Sequence, residues 1–172
     1  MLLLACASVM ATSRNRSDKV ASPVHAGAPI RLTADAPKVT RTMVVRVSAK
    51  EKPAKPVAGE LRIQAQAKWT PNDPAATAQP RLVITHFDTA SNLGSQSGVL
   101  EPGVSVPVKS VGSLGSDCSM NSGCEWTVQV AFEVPANTVP GTADVEWTAQ
   151  ASAYVLGDSN VPKGFTVSLS EP

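Results

Sequence analysis

The stretch that most narrows the possible folds runs from Cys118 to Val134, CSMNSGCEWTVQVAFEV. Trp126, Val128, Val130, Phe132 and Val134 alternate with Glu125, Thr127, Gln129 and Glu133. Apolar residues at every second position, held for about ten residues, predict a half-buried β-strand, because successive side chains of a strand point to opposite faces. Such a strand needs partners, and the rest of the chain supplies them. Leu61, Ile63, Ala65, Ala67 and Trp69 alternate with Arg62, Gln64, Gln66 and Lys68. Ala143, Val145, Trp147, Ala149 and Ala151 alternate with Asp144, Glu146, Thr148, Gln150 and Ser152. Shorter runs lie at Ile30–Thr33, Thr42–Ala49, Arg81–Phe87, Val104–Val108 and Phe165–Leu169, with a small edge strand near Gly98–Leu100. Arg81–Phe87 is apolar on both faces and reads as central. Pro107 has no N–H to donate, which places its strand at a sheet edge or a bulge.

Fourteen prolines and eleven glycines fall mostly between these runs, where they act as turn residues. No helical periodicity and no internal repeat is visible. About seven or eight short strands separated by turn signals predict an all-β fold: a two-sheet antiparallel β-sandwich with Greek-key crossings, immunoglobulin-like or fibronectin-III-like in architecture. A small closed barrel is the alternative. The Cys…Trp…Cys spacing of immunoglobulin domains is absent, since Cys118 and Cys124 are too close in sequence to bridge two sheets. The likeness is architectural and carries no function.

Cys118 and Cys124 enclose five residues rich in Ser, Gly and Asn. The spacing suits a small disulfide ring, worth roughly 2 kcal/mol by loop entropy, and a disulfide implies an oxidising compartment. The spacing is not CxxC, which argues against a thioredoxin motif or a zinc knuckle. Two free thiols in a reducing compartment is the other reading.

At the N-terminus, Leu3-Leu4-Ala5-Cys6 resembles the lipobox of bacterial lipoproteins. The resemblance implies acylation of Cys6, which would become the mature N-terminus, and an exported protein held at the membrane by lipid alone. Ala7, in place of Asp, implies the outer membrane. Only five residues precede Cys6, so the resemblance also implies a start upstream of Met1. An ordinary signal remnant, with Ala5-Cys6-Ala7 as its cleavage site, and a fragment without meaning are the alternatives. Residues 1–7 are thus a signal or lipobox remnant, 8–29 a small, polar, disordered tether, and 30–172 the sandwich domain.

The 172 residues carry a net charge of +1, and no basic excess points to nucleic acid. No run reaches the length of a transmembrane helix. HExxH, the P-loop, GxSxG and GxGxxG are all missing. His86, with Asp88 two residues on along the same face, is the one candidate for catalysis, and no nucleophile or oxyanion hole can be placed beside it. Asp73, Asp88, Asp117 and Asp158 sit in loops, as calcium ligands between sandwich loops do, without forming a DxDxDG series. Trp69, Trp126 and Trp147 fall on inward rows and are expected in the core. The expectation is therefore a non-enzymatic β-sandwich of the cell envelope, outer-membrane-anchored or secreted, with no metal or cofactor. It would bind a protein partner through the Val104–Val108 edge or the long loops, or serve a structural role. The alternative is a carbohydrate- or calcium-binding accessory module.

Overall fold

A computed structural model describes residues 16–77, 79–89, 91–118, 123–135 and 140–172. The alternating runs become strands of two antiparallel sheets. In chain order the strands are β1 (Val20–Ala21), β2 (His25–Ala26), β3 (Ile30–Leu32), β4 (Lys38–Ser48), β5 (Val57–Pro71), β6 (Arg81–Phe87), β7 (Asn92–Val99), β8 (Ser105–Cys118), β9 (Cys124–Glu133), β10 (Gly141–Val155) and β11 (Thr166–Ser170). One sheet has the order β1-β10-β5-β8, with β2 and β3 also lying on β10. The other has the order β11-β4-β9-β6-β7.

The pairing is nested. β6 pairs with β7, β5 with β8, β4 with β9 and β3 with β10. The chain is a long hairpin rolled over on itself, so that alternate pairs fall in opposite sheets. That strand order defines a jelly roll. It departs from the immunoglobulin-like order expected from strand count and spacing, in which one sheet holds A, B, E and D and the other C, F and G. The two-sheet antiparallel sandwich stands; its connectivity is different. Strand count cannot separate the two, because both bury the same alternating rows and differ only in which strands cross between sheets.

The rows bury as the period-2 pattern demands. On β5, Leu61, Ile63, Ala65, Ala67 and Trp69 are buried while Arg62, Gln64, Gln66 and Lys68 are exposed. On β10 the inward row runs on through Ala153 to Val155. Small alanines on β10 and β5 face Met43, Val45, Val128, Val130 and Phe132 of the opposite sheet in one continuous core, which lets large and small side chains interdigitate. β8 is the outer strand of its sheet, where Pro107 costs no ladder bond.

Three stretches fold differently from expectation. Gly112–Cys118, beyond the run expected at Val104–Val108, continues β8. Its glycines permit a close approach: a Cβ at Gly112 would lie 2.7 Å from the His86 ring. The edge strand near Gly98–Leu100 is the full-length β7.

The third is the presumed tether. From Arg16 onward the chain lies along the outer edge of β10 instead of forming a disordered tether up to Pro29. The pairing repeats with an offset. Ser17, Ser22 and Gly27 recur every fifth residue and donate their N–H groups to the carbonyls of Val155, Ala151 and Trp147, which recur every fourth. Each step therefore extrudes one residue, as in a β-bulge. At the first two steps the buried serine hydroxyl accepts the N–H of the same partner residue, Val155 at 2.9 Å and Ala151 at 3.1 Å. At the third, the Trp147 indole N–H donates to the Ala28 carbonyl at 3.0 Å, and only a glycine at position 27 leaves room for that ring.

Candidate functional site

Cys118 ends β8 in one sheet and Cys124 begins β9 in the other. Their Cα atoms are 5.9 Å apart and the pair stands as a disulfide, inside the usual range for such a bridge. Contrary to expectation, this short ring does link the two sheets, because it sits at the crossover where the chain passes from one to the other. Cys6 lies outside the described residues.

His86 lies in the core with no solvent exposure. Its Nε2 is 2.9 Å from the Ser110 hydroxyl on β8, across the sheet interface. Ser110 is also buried and also reaches the Ile84 carbonyl at 3.5 Å. The ring's Nδ1 has no hydrogen-bond partner among the described residues. Burial without a compensating carboxylate lowers the His86 pKa to about 4, so the ring is neutral at pH 7. The expected orienting acid, Asp88, instead accepts bonds from the Ser91 N–H and hydroxyl. A serine and a histidine in hydrogen-bond contact are the first two parts of a nucleophilic triad. Here they are sealed between the sheets, without an acid on Nδ1 to hold the ring for proton transfer. The pair acts as a buried polar tie between β6 and β8. Sequence reasoning missed Ser110 because nothing local marks it; 24 residues separate the two partners.

The loop acids have turn-forming work. The Asp73 carboxylate accepts the Ala75 N–H and that of Asp158 accepts the Asn160 N–H, both at 2.9 Å, the pattern of an Asx turn. The described residues contain no group of three His, Cys, Asp or Glu side chains placed to hold a metal ion. The side chain of Asp117 lies outside the description.

Trp69 and Trp147 are buried at 2% and 3% exposure. Trp147 packs against Phe132 with ring centroids 5.2 Å apart. Trp126 is only half-buried and borders a surface cavity of about 280 Å³ between Asp88, Leu93, Leu114 and Thr127. Trp126 thus packs at the margin of the core, less deeply than its row implies. The basic residues of the presumed tether serve the fold: Arg16 and Lys19 lie over the Tyr154 ring at 5.3 Å and 5.6 Å, and Lys19 also reaches Glu60 at 2.6 Å. His25, on the same segment, contacts Glu171 near the C-terminus at 3.2 Å.

No protein-family model matches the chain, and no curated protein matches it.

Proposed function

We propose that this protein is a non-enzymatic structural domain, exported and held at a cell or particle surface, which works by packing against protein partners, copies of itself first among them. The observation that carries this reading is the filled interior. Valine, alanine, leucine and tryptophan side chains occupy the space between the sheets, and the one histidine among them is neutral and sealed. Jelly rolls serve as shell-forming subunits, as lectins and as cupins. Cupin chemistry needs a reactive centre inside the barrel, and here that volume is taken by core. The fold analogy alone does not choose among the rest. The Cys118–Cys124 pair supports an oxidising or surface location, and the lipobox-like Leu3-Leu4-Ala5-Cys6 supports a lipid anchor.

Two measurements test the proposal. Intact mass of the protein from its native source, before and after reduction, should show a gain of two hydrogens on reduction and a diacyl or triacyl adduct at Cys6. Light scattering over a concentration series should show reversible association into oligomers. An unmodified chain with free thiols would remove the export and anchor. A strict monomer at every concentration, with no cross-linked neighbour in its native setting, would overturn the structural role.

A further inference from the structure

The outer face of the six-stranded sheet carries a groove of about 420 Å³. The bulged N-terminal segment forms one wall with Ala26, Gly27 and Pro29. β8 forms the other with Pro107 and Lys109. The floor between them consists of two cross-strand rows. Thr148, Gln64 and Lys109 are register neighbours in one, and Glu146, Gln66 and Pro107 in the other. Neighbouring strands stand about 4.8 Å apart and same-face residues about 7 Å along a strand. Two amides, a carboxylate, an ammonium and a hydroxyl thus fall within the footprint of one or two sugar rings.

These side chains contrast with others on the same face. Lys19 is paired with Glu60, Arg31 with Asp144, and Gln150 with the Ser22 carbonyl. Gln64, Lys109, Glu146 and Thr148 point into the groove with no partner among the described residues, and Gln66 takes only the Ser105 hydroxyl. Glu146 and Lys109 cancel in charge, so an ionic ligand of either sign meets one repulsive group. The floor is the face of the β5–β10 ladder, whose backbone groups are already paired over fifteen residues. On that floor an extended peptide would find no free edge to add to, and peptides draw their affinity in sheet recognition from such an edge. A ligand held by side chains alone fits instead. Glutamine amides donate and accept together, and a carboxylate accepts two hydroxyl donors. The apolar rims at Ala26, Pro29 and Pro107 suit the C–H faces of a pyranose.

We infer that this groove is a binding site for a neutral glycan. The inference is independent of whether the protein assembles with copies of itself. The test uses the ¹⁵N-labelled full chain titrated with the methyl glycosides of glucose, galactose, mannose and N-acetylglucosamine. At least one should give saturable, millimolar shifts confined to β5, β10 and the side-chain amides of Gln64 and Gln66. Gln64→Ala and Glu146→Ala should each weaken binding by about fivefold or more, the range of one lost hydrogen bond. Gln129→Ala, on the opposite sheet, should leave it unchanged. All three positions are exposed, and the spectra themselves report folding. The inference is overturned by the absence of groove shifts with every glycoside, by binding that survives both groove variants, or by shifts there with sulfate or a capped peptide alone.

Discussion

β10 has a different neighbour on each side, and the two are held by different physics. Toward β5 the pairing is regular over fifteen residues and every second pair is buried in the core. Toward the N-terminal segment, pairing comes in two- and three-residue pieces, each step absorbing a bulge. Between Arg16 and Pro29 the buried residues are serines, Ser17 and Ser22. One side is fastened by apolar area and the other by hydrogen bonds. A regular edge strand would leave a template for further pairing; a strand that bulges at every step covers β10 and blunts the new edge.

The largest effect should come from the β5 side. Ile63→Ala removes a fully buried side chain and should cost about 3 kcal/mol of global stability, read from a urea midpoint shift. Acid should act on the same body through His86. His86 titrates near 4 in the folded protein against 6.5 when unfolded. Its contribution is complete above pH 6.5 and is lost as the pH falls toward 4, where the unfolded chain binds a proton that the folded one refuses. Linkage puts the loss at about 3 kcal/mol, and His86→Gln should flatten the slope of stability against pH over that window.

Reduction of Cys118–Cys124 should cost about 2 kcal/mol. Because the bridge spans both sheets, that loss should appear in global unfolding and not as fraying of one strand. The smallest effect should be local. Ser22→Ala takes the acceptor from the Ala151 N–H and should cost about 1 kcal/mol. Amide exchange should quicken at Ala151 and along Val20–Ala26 while the β5 amides keep their protection. If Ser22→Ala instead lowered protection equally on both sides of β10, the two flanks would form one cooperative unit and the contrast would be gone.

The same contrast explains what could be read in advance. The rows of Leu61–Trp69, Trp126–Val134 and Ala143–Ala151 announce themselves because burying one face of a strand imposes a period of two. The bulged segment has a period of five, set by Ser17, Ser22 and Gly27 against β10, and it is polar. With neither apolar alternation nor length, it looks like a tether. The candidate site was less legible than the fold. Trp69 and Trp147 were placed in the core by their rows, whereas Ser110 beside His86, and the groove of Gln64, Gln66, Lys109, Glu146 and Thr148, depend on which strands become neighbours.

The sequence by itself determined the long alternating strands, their buried faces and the all-β class, because each follows from local periodicity and backbone chemistry. Only the tertiary structure decided the jelly-roll order, the disulfide as a link between sheets, the Ser110 tie and the edge cover on β10. Those depend on pairing between residues far apart in the chain, and any alternating strand offers the same hydrogen-bonding edge to several possible neighbours. The choice among neighbours is made by the summed fit of side chains across the core, and no single stretch of sequence contains that sum.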